Sequence, residues 1–231
     1  MFEKRSYQLE RIDTGDYTPE EYERFLREIR FINRVLGDDL ALKKTLLKEI
    51  ERENLQPFSI LDVGAGSGEL LRTIAVFGRK TKRKARLFGL DLNELSVKSV
   101  LEESRKFGEI NSIRGDALSL PFADKAFDYA ICSLFTHHFT DENVVKIFLE
   151  LNRVARRGVF VIDLHRHRVA YALYKIFCAA FRISRLVRED GLLSILRSFK
   201  PDELKLLAEA ANLKNVSVER HFPFRLVLRG S

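Results

Sequence analysis

Phe58-Ser59-Ile60-Leu61-Asp62-Val63-Gly64-Ala65-Gly66-Ser67-Gly68-Glu69-Leu70 reads as an apolar strand, a loop with glycine at every second position, and the first turn of a helix. Glycine permits tight turning and lets a ligand approach the backbone closely. The helix amino terminus behind it favours an anionic group. A dinucleotide loop has the spacing G-x-G-x-x-G, whose third glycine lets helix and strand pack. Counted from Gly64, that position is Glu69, so the spacing fails. The pattern is acid-x-G-x-G-x-G, with Asp62 at the strand end. A carboxylate there repels a pyrophosphate and suits an ammonium group. A plain structural turn is the alternative reading of the loop.

Outward from this stretch, strands and helices alternate. Strands are expected at 58–63, 86–91, 110–114, 127–133 and 158–163, with helices at about 68–77, 94–106 and 141–155. Asn93 caps the second of these helices and Thr140 the third. Continuous apolar strands alternating with helices predict a doubly wound, mostly parallel α/β sheet. Two late strands, near 215–220 and 223–229, predict a terminal antiparallel hairpin. Upstream, residues 1–16 read as a loose arm. Thr18, Pro19 and Glu21 make a capping-box start for a helix to Leu36, stopped by Gly37. A second helix is expected over 39–53. After 164 a long apolar segment runs to about 187, followed by a polar link and a helix from Pro201 to about Ala211.

Two further acids end the next strands. Asp91 closes the second strand, where a carboxylate can accept both hydroxyls of a ribose. Asp116, with Ala117, follows the third and can accept an adenine amino proton. Each alone reads equally as a cap or a turn residue. Together with the glycine loop they describe a ligand with an amino-acid end, a ribose and an adenine, which fits S-adenosylmethionine.

"ILDVGAGSGEL", "GLDLN", "RGDALSLPFADKAFDYAICSLFTHHF" and "LNRVARRGVFVIDL" resemble the class I S-adenosylmethionine-dependent methyltransferases, closest to the group of ubiquinone and menaquinone biosynthesis. The resemblance spans roughly residues 55–165. It implies a Rossmann-like seven-stranded sheet with a terminal antiparallel strand. It implies that Asp62, Gly64, Ala65, Gly66 and Gly68 hold the methionine end, that Asp91 takes the ribose and that Leu92 packs on the adenine. By the same carry-over Asp116 and Ala117 meet the adenine edge, and Ser133 and Leu134 lie near the sulfonium. S-adenosyl-L-homocysteine is the implied product. Residues 1–54 are then an N-terminal helical arm or cap, and 55–231 the methyltransferase domain with a helical cap insertion at about 164–200. "DLHRHR" after the fifth strand departs from many relatives and leaves the acceptor and the base open.

Composition bounds the rest. The 231 residues, 45% hydrophobic and 32% charged, are those of a globular chain. No run reaches the roughly 18–20 apolar residues needed to span a bilayer, so a cytoplasmic protein is expected. Cys132 and Cys178 lie in apolar stretches, and no metal-ligand spacing is present. The net charge of +7 permits a nucleic-acid partner without requiring one. Its densest run, at 79–86, falls on the amino edge of the sheet, away from any site. His137-His138 and His165 fall on the carboxyl edge. His138 and His165 are candidate bases, while an orienting or packing role fits at least one member of the His137-His138 pair. Phe135, His138, Arg166 and Tyr174 are candidate acceptor-binding side chains. Residues 169–183 are apolar around most of a helix, as in a buried, capping or dimer helix, and Lys175 and Arg182 leave room for peripheral membrane contact. The favoured activity is methyl transfer to a small apolar, aromatic or quinone-like acceptor, at oxygen rather than carbon, by a monomer or homodimer. An RNA or protein methyltransferase and a non-catalytic assembly subunit are the alternatives.

Overall fold

Phe58 and Ile60 point to one side of their strand, and Leu61 and Val63 to the other. All six residues of β1 (Phe58–Val63) are buried. The strand is therefore covered on both faces, which is what its unbroken apolar sequence requires. In a computed structural model of the chain, residues 2–36 and 39–231 are described, apart from the side chains of Tyr22, Leu26 and Arg34.

Among the described residues, β1, β2 (Ala85–Asp91), β3 (Ile110–Arg114), β4 (Phe127–Ser133), β5 (Ala155–Leu164), β6 (Ser217–His221) and β7 (Arg225–Gly230) form one sheet in the order β3-β2-β1-β4-β5-β7-β6. The first five run parallel, and β7 is antiparallel to both β5 and β6. The expected hairpin is present. Chain order reverses between β1 and β4, so a crevice opens at the carboxyl ends of these two strands, where open α/β sheets bind ligands.

One face carries α5 (Glu69–Lys80) and α6 (Glu94–Glu103), together with α3 (Asp39–Leu42), a π-helical turn (Lys43–Leu47) and α4 (Lys48–Arg52). The other carries α7 (Asp141–Val154) and α10 (Pro201–Ala210). The predicted caps form: Asn93 accepts the Leu95 amide at 2.9 Å and Thr140 the Asn143 amide at 3.4 Å. Thr18 and Glu21 make the reciprocal bonds of a capping box before α2 (Pro19–Leu36). Gly37, the expected stop, lies outside the described residues. Cys132 and Cys178 are buried free thiols. The basic run 79–86 joins α5 to β2, and its Arg79 pairs with Glu109 at 2.7 Å.

Three expectations change. The polar link after 187 is helix: α9 (Arg185–Arg197) follows α8 (Arg168–Ala180). Its Gly191 resembles a breaker in sequence, but a Cβ there would lie 2.2 Å from the Tyr174 hydroxyl. The glycine makes room for α8 instead of ending α9. The segment at 1–16 is not loose. It contains α1 (Arg11–Thr14), whose first amides at Arg11 and Ile12 donate to the buried Asp190 of α9 at 2.9 and 3.0 Å. Arg5 is buried, lies 4.1 Å from the Phe199 ring centre and donates to the Arg197 carbonyl. Finally, α8 is apolar all round but only half covered. Cys178, Tyr174 and Phe177 pack with Ile32 of α2 and Val187 of α9, while Val169, Leu173 and Ile176 stay exposed.

Candidate functional site

Gly64, Gly66 and Gly68 all have positive φ, at 74°, 54° and 78°. A side chain is strained at each. The surroundings differ. A Cβ on Gly64 would sit 2.4 Å from the Phe135 ring, whereas a Cβ on Gly66 would meet open space. The loop is thus packed from below at Gly64 and bare at Gly66, as a backbone cradle is. The Gly66 amide donates to Asp91 Oδ2 at 3.0 Å, and Asp91 Oδ1 accepts the Asn93 amide at 2.9 Å. Burial pushes the Asp91 carboxyl up, and these amides offset part of that rise.

This loop forms one end of a cavity of about 1650 Å³. Asp62, Gly64, Ala65, Gly66, Ser133 and Leu134 line that end. Leu134 takes a φ of +48°, and its amide bonds the Ile162 carbonyl, so the turn after β4 is tied to β5. Gly68 starts α5, and Asp91 stands behind Gly66; neither contributes to the wall, nor do Leu92, Asp116 and Ala117. Asp116 is exposed, and its Oδ1 accepts the Leu118 amide in a turn at the same sheet edge. The bare backbone at Gly66, the acid at Asp62 and the carboxylate at Asp91 fit the amino-acid and ribose parts of S-adenosylmethionine. Drug-sized ligands occupy roughly 300–1,000 Å³. The cavity therefore has room for a donor and an acceptor together.

The His137-His138 turn, a 3₁₀ helix (Thr136–His138), also lines the cavity. Asp163 of β5 is fully buried and accepts from His137 Nδ1 at 2.6 Å, from Thr136 Oγ1 at 2.6 Å and from the His137 amide at 3.2 Å. Burial alone would raise this carboxyl. The His137 imidazole and these bonds hold it down, at about 2. From the opposite side, Arg197 donates to the His137 carbonyl at 3.1 Å and the His138 carbonyl at 2.5 Å. The turn is clamped between β5 and α9, with the buried His137 imidazole held on Asp163.

His138 lines the cavity with its Nδ1 3.3 Å from Asp13 Oδ2 and 3.9 Å from Glu10 Oε1. A carboxylate only accepts, so this contact places the proton on Nδ1 and leaves the lone pair on Nε2. Glu10 is 3% exposed and accepts from Ser194 Oγ at 3.0 Å. Burial raises its carboxyl to about 7, with His138, Ser194 and Arg197 acting against the rise. Glu10, His137 and His138 each bring one ligand-type atom within 4.8 Å of the others. Arg197 approaches Glu10 at 3.8 Å and Asp13 at 3.3 Å, so a cation already faces these carboxylates. Glu10 and Asp13 escape a sequence reading: their partners lie more than a hundred residues away, and no local pattern marks them.

The remaining candidates divide. His165 and Tyr174 line the cavity. Burial, with His167, Arg220 and Arg166, lowers His165 to about 4. The Tyr174 hydroxyl donates to the Val187 carbonyl, and burial pushes it up. Phe135 lies under Gly64 and against Phe139 at 4.8 Å between ring centres, in the core rather than at the wall. Arg166 is also off the wall. Its buried guanidinium donates to the Phe2, Glu3 and Ser198 carbonyls and pairs with Glu203. It fastens the amino-terminal arm to α10 and is spent on that.

The sheet order and the glycine loop at its switch point define a doubly wound α/β fold with a ligand crevice at the carboxyl ends of its strands. A methyltransferase-domain family model matches residues 61–162. Over 171 residues the chain is 29% identical to a demethylmenaquinone methyltransferase of Staphylococcus carnosus, covering 69% of each. It shares its fold with a SAM-dependent methyltransferase from Aquifex aeolicus (TM-score 0.56, 17% identity, 80% of this chain and 88% of the other). It also shares it with the PH0226 protein of Pyrococcus horikoshii (TM-score 0.59, 18% identity, 82% and 87%). The chain carries a methyltransferase domain and is an S-adenosylmethionine-dependent enzyme similar to these methyltransferases, with S-adenosylmethionine as the methyl donor.

Proposed function

We propose that the enzyme methylates a small, apolar, aromatic or quinone-like acceptor at a hydroxyl oxygen. The observation that carries this reading is the lining of the cavity. Ile29, Leu173, Tyr174, Phe177 and Ile195 give the cavity an apolar lining, and the glycine loop and His138 line the same cavity. The name of the Staphylococcus carnosus relative supports a quinone-like acceptor.

When bound, S-adenosylmethionine supplies a methyl group on a sulfonium, a leaving group that needs no further activation. Asp62, Gly64, Ala65, Gly66 and Gly68 would hold its methionine end, Asp91 and Leu92 the ribose and adenine, and Asp116 and Ala117 the adenine edge. Ser133 and Leu134 would face the sulfonium. The chain's own task is alignment, worth roughly 7–11 kcal/mol in favourable cases. The second task is to take the proton that the acceptor oxygen loses. Asp13 holds the His138 imidazole in the tautomer whose Nε2 can accept it. Glu10 next to it stabilises the imidazolium. His165, lowered to about 4, is too weak a base at neutral pH to compete.

Incubation with methyl-labelled donor and a panel of phenols and hydroquinones tests this. Label on oxygen supports the proposal, and label on a ring carbon moves the chemistry to carbon. Tight donor binding without label in any small acceptor overturns the reading.

A further inference from the structure

The outer face of α8 lies outside the site just described except at Leu173, which borders it. Val169, Leu173 and Ile176, at helical spacing, are 45%, 51% and 63% exposed, and Phe181 beyond the helix end is 54% exposed. Phe222, before β7, is 79% exposed. Leu173 and Phe222 also line the cavity, so the apolar surface continues into its mouth. Isolated exposed apolar side chains are ordinary; a set of large ones joined to a cavity mouth is not. The charge on the segment itself has one sign, with Arg185 paired to Glu189 just beyond it at 2.7 Å and Glu28 of α2 bonded to the Ser184 amide. Residues 164–188 contain six Lys and Arg and no Asp or Glu. Five of the six (Arg168, Lys175, Arg182, Arg185 and Arg188) are exposed. An apolar stripe flanked by cations on a helix too short to cross a bilayer is the signature of a helix lying in a membrane surface. Among the described residues, no helix is long and apolar enough to span one.

We propose that this face docks on an anionic lipid surface, with Ile176, Phe181 and Phe222 entering the headgroup boundary and Lys175 and Arg182 meeting lipid phosphates. The charge selects this occupant: a second copy would set the same cations against each other across a two-fold contact. Docking would turn the cavity mouth toward the bilayer, where an apolar acceptor dissolves. That purpose rests on the acceptor reading above; the docking itself does not.

The test is vesicle sedimentation of the full chain, with phosphatidylcholine alone and with phosphatidylcholine mixed with phosphatidylglycerol. Binding to the mixed vesicles should be at least ~tenfold tighter and should weaken with salt, since each cation near an anionic leaflet strengthens binding roughly fivefold. The double variant Ile176→Glu, Phe181→Glu should lose this binding while keeping its affinity for S-adenosylhomocysteine. Should that variant unfold, Lys175→Glu with Arg182→Glu replaces it, with the same expectation. No preference for anionic vesicles, or binding that survives both pairs of substitutions, overturns the proposal. So does a dimer in light scattering that those substitutions dissociate, which would assign the face to a second copy. Failure of docking with methyl transfer intact would leave the acceptor reading standing.

Discussion

The glycine loop and the wall around His138 face one cavity but are held in different ways. The loop is local: five residues between β1 and α5, with one strand end, Asp91, bonded to its middle. The His138 wall is assembled from Asp13 and Glu10 of the arm, Asp163 of β5 and Ser194 and Arg197 of α9. A local loop tolerates change elsewhere in the chain, whereas the assembled wall depends on contacts across separations of 26 to 184 residues, with 125 between Asp13 and His138. The donor end and the acceptor end should therefore fail separately.

The largest expected effect breaks the acceptor end alone. His138→Ala should lower kcat by about 10²–10⁴ on an acceptor found in the panel, with donor affinity unchanged in calorimetry. Equal loss of donor binding would show that the two ends are not separable. Next, Asp163→Ala should destabilise the fold by about 3–5 kcal/mol in urea titration, because it strips the partner from a buried imidazole and from Thr136. In the parent chain the folded Asp163 binds its proton less readily than the unfolded one. Its contribution is present above about pH 4 and is lost as pH falls toward about 2.

Glu10 works in the opposite direction. Its folded carboxyl, at about 7, holds a proton more tightly than the unfolded one near 4.5. Stability is therefore full below pH 4.5 and declines as pH rises through 7. Glu10→Gln should remove this decline, gaining up to about 3 kcal/mol at pH 8 relative to its effect at pH 4. Equal effects at both pH values would contradict the buried, weakly compensated carboxylate. The smallest stability change sharpens the donor end. Gly66→Ala adds a side chain at φ +54° in open space, so it should cost about 1 kcal/mol while weakening donor binding many-fold. An undiminished donor affinity would remove the loop from the donor site.

Much of the sheet was legible before any coordinates. Strands 58–63 and 127–133 fall where the apolar runs place them, because a strand buried on both faces presents mostly apolar residues, and the mixed edge strand 110–114 falls where the alternation of strands and helices puts it. The Thr18, Asn93 and Thr140 caps are legible for a similar reason: an N-cap bonds amides two or three residues on, within reach of a local pattern. The helical nature of 185–197 was hidden by Gly191, whose purpose is to admit Tyr174 from another helix. Phe135 and Arg166 sat in promising positions along the chain. Only packing shows that one supports Gly64 and the other fastens the arm.

The sequence by itself pointed to the α/β class, the parallel direction of the first strands and a glycine loop whose spacing is not that of a dinucleotide site. All of these arise from interactions between near neighbours and from periodicity. The tertiary structure alone decided that the arm at 2–16 is part of the site, that Glu10 and Asp13 stand beside His138, and that half of α8 is left bare. Those depend on which distant surfaces meet, and burial, which sets the charge state of Glu10 and Asp163, exists only after they have met.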